Sequence, residues 1–358
     1  MRLSDVDFAL PDELVAQEPS AVRGESRLLV LTRSTGAVEH RRFADVADHL
    51  HAGDLLVLNN TKVFPARLLG RRVPSGGAVE ALLIRHSPQP EVQSPTPGAV
   101  IWEALMHPGQ KLNVGARVVF ERDGVRLHGE ILGRHFHGRR TIRLWSEDGL
   151  DVDAAIDRIG HVPLPPYIKR GDEPSDRDRY QTVYARDRGS VAAPTAGLHF
   201  TAELLDALAS RGIERTEVTL HVGYGTFKPI RVERLEDHVV DPETFIVGPD
   251  AAEALTRARR GGRRIIAVGT TTVRVLESLT MDEGGRVAPQ RGETDLFIRP
   301  GHPFRLVAGL ITNFHLPRSS LLVLVAAFAG RERILAAYRE AVARGYRFYS
   351  YGDAMLIL

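Results

Sequence analysis

Val191-Ala-Ala-Pro-Thr-Ala-Gly-Leu-His-Phe-Thr201 carries an apolar run into a turn, an imidazole and the start of a helical pattern. The run stops at Pro194, Gly197 allows a tight turn, and His199 arrives just before the helix expected from Thr201. Strand, turn and helix start place a titratable group beside the positive end of a helix. Two later segments repeat the pattern, Ile265-Ile-Ala-Val-Gly-Thr-Thr-Thr272 and Leu310-Ile-Thr-Asn-Phe-His-Leu-Pro-Arg-Ser-Ser320. Three polar loops after apolar strands predict one site on a single edge of a parallel sheet.

Outward from these segments the chain changes texture twice. Strand-like Arg27-Leu-Leu-Val-Leu-Thr32 and Asp54-Leu-Leu-Val-Leu58 flank a short helical pattern from Phe43 to Leu50. Strands separated by a helix favour α/β topology. From Arg67 to Trp145 the helical period disappears. Short β-rich segments follow: Val79–Arg85, Val100–Met106, Arg117–Glu121, Val125–Leu132 and Thr141–Trp145. Turn signals such as Ser75-Gly-Gly77 and Arg122-Asp-Gly124 separate them, as in a small all-β barrel. The Pro-rich tract from Ser87 to Gly98 reads as a flexible surface loop. Past Pro163-Leu-Pro-Pro166, a connector, helices are expected over Ala202–Arg211, Ala251–Arg260, Val273–Leu279, Arg318–Ala329 and Arg331–Arg344. The expected fold is therefore α/β, a barrel-like main domain of residues 1–65 and 152–358. A small all-β barrel domain, residues 66–151, is inserted into it.

The composition of these 358 residues narrows the chemistry. Cys is absent, which excludes disulfides, thiolate nucleophiles and Cys-ligated zinc or iron–sulfur clusters. A net charge of +2 permits a nucleic-acid partner without requiring one. The apolar run Leu321–Ala329 is too short to span a bilayer, and no signal peptide is read at the N-terminus. A cytoplasmic monomer is the expectation. There is no H-E-x-x-H, G-x-S-x-G, Walker A or glycine-rich methyltransferase loop.

Three constellations could carry chemistry. Gly269-Thr-Thr-Thr272, with Arg274 behind it, offers free N–H groups and hydroxyls to an anion; plain helix capping is the alternative. His221-Val-Gly-Tyr-Gly-Thr-Phe227 lacks the third glycine of a dinucleotide fingerprint, and Lys228-Pro229 blocks a helix there. It is either a turn close to a flat ligand or a glycine-rich β-turn. Asn313-Phe-His-Leu-Pro-Arg-Ser-Ser320 sets His315 before Pro317, which is expected in the first turn of the buried helix. Asp353, in Tyr349-Ser-Tyr-Gly-Asp353, is a site candidate or a turn residue. His135 and His137 stand in Arg134-His-Phe-His-Gly-Arg-Arg140, read as a solvated basic face ahead of a phosphate contact or a metal.

Ala193-Pro-Thr-Ala-Gly-Leu-His-Phe200, Leu220-His-Val-Gly-Tyr-Gly-Thr-Phe227, Gly269-Thr-Thr-Thr-Val-Arg274, Thr312-Asn-Phe-His-Leu-Pro317 and Tyr346-Arg-Phe-Tyr-Ser-Tyr-Gly-Asp-Ala-Met355 together resemble one family. It is the S-adenosylmethionine:tRNA ribosyltransferase-isomerases of queuosine biosynthesis. Leu28–Leu31, Gly53–Asn59, Pro65–Leu68 and Tyr180–Tyr184 extend the likeness end to end, with departures at Asn60, Lys62, Tyr224 and Ser320. The resemblance implies ribosyl transfer from S-adenosylmethionine to a 7-aminomethyl-7-deazaguanine at the tRNA wobble position. Adenine and methionine are released and epoxyqueuosine-tRNA is formed. It implies tRNA and S-adenosylmethionine as partners, the latter a co-substrate, with no resident cofactor and no metal. Such chemistry needs proton transfers that imidazoles and a carboxylate supply. The catalytic candidates are His199, His221, His315 and Asp353. The candidate S-adenosylmethionine contacts are Thr195, Gly197, Gly223, Gly225, Gly269, Thr270, Thr271, Thr272, Arg274 and Asn313. A tRNA-binding protein without catalysis and a conventional methyltransferase are the competing classes.

Overall fold

A computed structural model describes residues 1–87, 98–227 and 230–358, without the side chain of residue 227. The body of the Pro-rich tract and the Lys228-Pro229 pair lie outside the described residues. The chain opens with β1 (Arg27–Leu31), β2 (Val38–Arg42), β3 (Leu55–Asn59) and β4 (Thr61–Val63). Six strands follow: β5 (Arg67–Val73), β6 (Ala78–His86), β7 (Val100–His107), β8 (Arg117–Arg122), β9 (Val125–Arg134) and β10 (Arg139–Trp145). Then come α1 (Val152–Ile159), α2 (Asp176–Arg179), β11 (Asp187–Ser190), α3 (Ala202–Ser210), β12 (Glu214–Leu220), β13 (Glu243–Val247) and α4 (Pro249–Arg260). The last part holds β14 (Ile265–Val268), α5 (Thr270–Ser278), β15 (Gln290–Thr294), β16 (Gly309–Asn313), α6 (Ser320–Ala329), α7 (Arg331–Ala343) and β17 (Ala354–Ile357).

The mixed α/β class and the small all-β barrel expected from the sequence are both present. A nine-stranded sheet runs in the order β15-β13-β12-β3-β14-β16-β17-β1-β2. Strands β12, β3, β14 and β16 are mutually parallel. The expectation of a parallel sheet needs correcting at the flanks, where β13, β15, β17 and β2 pair antiparallel with a neighbour. β3, β14, β16 and β17 are buried along their whole length, which accounts for their continuous apolar sequence. Alternate residues serve opposite faces: Leu55, Val57, Ile265 and Ala267 pack under α4–α7. Leu56, Leu58, Ile266 and Val268 pack toward Phe43 and the Leu205 and Leu208 face of α3.

The barrel closes in the order β10-β7-β6-β5-β8-β9, every pair antiparallel. Five of its strands coincide with the segments read from the sequence. The sixth, β5, exposes Leu69, Arg71 and Val73 and turns Leu68 into the core, so its apolar signal does not mark the buried face. At Gly70 a Cβ would stand 2.2 Å from the Val119 carbonyl oxygen, which explains a residue otherwise weak in strands. The core of the barrel continues into α1 through Val152, Ala155, Ile156 and Ile159.

Candidate active site

Parallel strands deliver their C-terminal residues to one edge, so β3, β12, β14 and β16 present Asn59, the His221 loop, Gly269 and Asn313 side by side. β17 runs antiparallel to β16, with Asn313 opposite Ala354, so the start of β17 reaches the same edge. A cleft of about 550 Å³, partly open to solvent, lies there. Thr195, Gly269, Thr270, Thr271, Asn313 and His315 line it, together with Tyr167, Thr226, Tyr349 and Ser350.

Each wall has a local cause. Gly269 adopts φ +91°, open to glycine but costly for other residues, and this turns the buried β14 directly into α5. Val273 makes the first return bond of α5, to the Gly269 carbonyl at 3.2 Å. The N–H groups of Thr270, Thr271 and Thr272 therefore have no acceptor within the helix and sit at its positive end. Thr272 Oγ1 donates to the Val268 carbonyl at 2.6 Å. Thr271, 7% exposed, has a buried hydroxyl with no protein partner. Such an orphan costs stability unless a ligand meets it.

Asn313 is fully engaged. Its Oδ1 accepts from Thr195 Oγ1 at 3.0 Å, and its Nδ2 donates to the Tyr349 carbonyl at 3.1 Å. A carbonyl can only accept, so the amide orientation is fixed and the same Nδ2 donates to His199 Nε2, 3.1 Å away. His199 is thus the Nδ1–H tautomer, donating to Ser26 Oγ at 2.6 Å. Burial first, then the positive charges of Arg23 and Arg347, push its pKa down to about 3. His315 is also held at about 3 by burial; its Nε2 lies 2.9 Å from Thr312 Oγ1. Both imidazoles are neutral at neutral pH. Tyr349 takes φ +74°, a conformation rare outside glycine, which sends its carbonyl to Asn313. Its ring meets that of Tyr167 edge-on at 3.9 Å, and the Tyr167 and Ser350 hydroxyls are bonded.

The other candidates stand elsewhere. His199 lines a smaller recess with Arg23, Arg179 and Tyr351, and reaches the cleft through Asn313. His221 packs over Gly189 and shares a 2.9 Å bond with Thr61 Oγ1; burial lowers its pKa. The Asp353 carboxylate accepts from Arg27 N, Nε and Nη2 and from Arg347 N, all within 3.1 Å, and does not line the cleft. Arg274 gives its guanidinium to Glu243 and to the Leu296 and Thr294 carbonyls. Glu243 in turn accepts from Gly223 N at 2.9 Å and Thr226 Oγ1 at 3.1 Å, so the pair shapes the glycine loop from behind. Gly225 belongs to an adjoining cavity that shares Thr226 and Leu321 with the cleft. At Gly197 a Cβ would fall 2.1 Å from the Tyr184 hydroxyl, a packing constraint. Pro317 precedes α6 rather than opening it; Ser319 is the cap, accepting from Leu322 N at 3.2 Å. Thr226 lies within His221–Phe227 and Tyr349-Ser350 within Tyr346–Met355, but the sequence singles out none of them, nor Tyr167, as a cleft residue.

A family model described as queuosine biosynthesis protein matches residues 3–357. The chain is 51% identical over 358 residues, all of both chains, to the S-adenosylmethionine:tRNA ribosyltransferase-isomerase of Symbiobacterium thermophilum. It is 54% identical over 360 residues to the protein of that name from Anaeromyxobacter dehalogenans, covering 100% of this chain and 99% of the relative. Among solved structures, the S-adenosylmethionine tRNA ribosyltransferase of Thermotoga maritima is 40% identical, with a TM-score of 0.55. That match covers 99% of this chain and 100% of the other.

Proposed function

Because the chain belongs to the queuosine biosynthesis protein family, we propose that it is an S-adenosylmethionine:tRNA ribosyltransferase-isomerase working in the cleft beside α5. Its substrate on tRNA is a 7-aminomethyl-7-deazaguanine in the wobble position. The ribosyl part of S-adenosylmethionine is transferred and isomerised onto that aminomethyl group, adenine and methionine leave, and epoxyqueuosine-tRNA results. The barrel, residues 66–151, is taken as a domain inserted between 1–65 and 152–358.

The observation that carries the reading is the orphaned Thr271 hydroxyl beside three free N–H groups, at a residue that lines one cleft together with His315. Dipole, amides and hydroxyl together suit a carboxylate, and the methionine end of the co-substrate has one. The sulfonium acidifies the neighbouring 5′ protons, so a base set at that carbon can remove one. His315, a neutral imidazole in the lining, is assigned this proton transfer. Burial penalises its cationic form, so the proton it takes is handed on to the departing adenine, which needs one to leave as a neutral base. His199 orients Asn313 from behind, and Asp353 positions the strand edge through Arg27.

The test is transfer of label. S-adenosylmethionine labelled separately in methyl and ribose is incubated with tRNA bearing the aminomethyl deazaguanine. Ribose label in tRNA supports the proposal; methyl label means methylation, and tRNA binding without label means a passive binder. Either of the latter overturns it.

A further inference from the structure

The basic run Arg134–Arg140 takes no part in the cleft just described, and its residues divide into two sets. Arg140 is buried: its guanidinium donates to the carbonyls of Leu112 at 2.9 Å and Arg139 at 2.7 Å, and to that of Gly109. It pins the β9–β10 turn to the neighbouring 109–112 segment, which carries Lys111. Arg134, His135, Phe136 and His137 are exposed. His137 at φ +56° and Gly138 at φ +79° bend the chain there, and Phe136 is left 89% exposed.

Position adds to exposure. Arg139, at the start of β10, bonds Asp241 at 3.3 Å, and Asp241 lines the cavity adjoining the cleft. Val239, 84% exposed, lies on the same 238–241 segment and lines that cavity too. Phe136 and Val239 are the two most exposed large apolar side chains among the described residues. They stand on the two elements that the Arg139–Asp241 bond joins.

We infer that the β9–β10 turn is a stacking platform for an unpaired base of single-stranded RNA, held beside the mouth of the catalytic cleft. An aromatic side chain offered to solvent two residues from the exposed Arg134, with exposed Lys111 on the segment that Arg140 ties to the turn, matches the chemistry of single strands, whose bases stack on rings while phosphates meet positive charge. A duplex, its bases already stacked, gains nothing from Phe136. The inference rests on the proposed use of tRNA as substrate, and gives the anticodon loop a contact remote from the reacting atoms.

Phe136→Ala, Phe136→Trp and Arg134→Ala variants test it, with an anticodon stem-loop RNA and a blunt duplex of the same stem as probes. Phe136→Ala is expected to weaken stem-loop binding about 10- to 100-fold, the range of one lost base–aromatic stack. Duplex binding and S-adenosylmethionine affinity stay unchanged, Phe136→Trp restores the loss, and Arg134→Ala lowers the salt dependence. Unchanged stem-loop affinity in Phe136→Ala, or an equal loss for the duplex, overturns the inference. So does a Phe136-dependent change of molecular mass in solution, which would mark a contact between two copies. If wild type binds the stem-loop through Phe136 yet transfers no ribose label, the activity proposal fails and this one stands. If label is transferred and Phe136→Ala keeps the wild-type KM for tRNA, the reverse holds.

Discussion

Thr271 and Thr272 are neighbours in the first turn of α5, yet their hydroxyls differ in one decisive respect. Thr272 Oγ1 is satisfied by the Val268 carbonyl at 2.6 Å, whereas Thr271 Oγ1 is buried in the cleft wall with no protein partner. Removing the two therefore has opposite consequences. Thr271→Val is expected to leave stability unchanged or slightly higher and to weaken S-adenosylmethionine binding about 10-fold or more, the scale of a hydrogen bond to a charged group. Thr272→Val is expected to cost about 1 kcal/mol of stability, with a smaller effect on binding. Urea unfolding and calorimetric titration of both variants check the contrast.

His315 lines the cleft, so His315→Gln is expected to lower kcat about 100-fold or more, the usual contribution of a positioned proton-transfer group. The KM for S-adenosylmethionine should change far less. Steady-state kinetics with saturating tRNA measures this, and a loss confined to KM would remove His315 from the chemistry.

Acid is expected to destabilise the protein through the two buried imidazoles. His199 and His315 are held at about 3, against about 6.5 in the unfolded chain. Above pH 6.5 neither state binds the protons and their contribution is constant. Between 6.5 and 3 the unfolded chain takes up both and the folded one does not, so stability falls as pH falls. Each imidazole adds a slope of about 1.4 kcal/mol per pH unit. Urea midpoints at a series of pH values should show it, and a His199→Asn variant should flatten the slope by about one proton.

The Arg274–Glu243 pair is 8% and 5% exposed at its side chains, so removing one partner strands a buried charge. Arg274→Leu is expected to cost about 3–5 kcal/mol and to loosen the Gly223–Thr226 loop. Denaturant unfolding gives the first quantity; faster amide exchange at Gly223, whose N–H is held by Glu243, gives the second.

What was legible in the sequence follows from the range of each interaction. Gly269-Thr-Thr-Thr272 could be read because a buried strand, a positive-φ glycine and a helix start are consecutive residues. Arg274 reads from the sequence as a co-substrate contact, but Glu243, which takes its charge, is 31 residues away and meets it only after β13 joins the sheet. The turn motif alone leaves Asp353 either a site candidate or a turn residue, because its partner Arg27 is 326 residues distant, and their bond fixes β1 beside β17. Tyr167 was hidden in a Pro-rich connector whose composition says only that it is not helical. His199 was found by its motif, while its separation from the cleft by Asn313 depends on an amide orientation that only the Tyr349 carbonyl reveals.

The central claim is that the sulfonium nucleoside sits between α5 and His315. A crystal structure of the protein soaked with S-adenosylmethionine tests it most directly. The ligand is expected in the cleft, its carboxylate on the Thr271 hydroxyl and the first amides of α5, its sulfonium side toward His315. Ligand density in another cavity, with Thr271 still unpartnered, would contradict it.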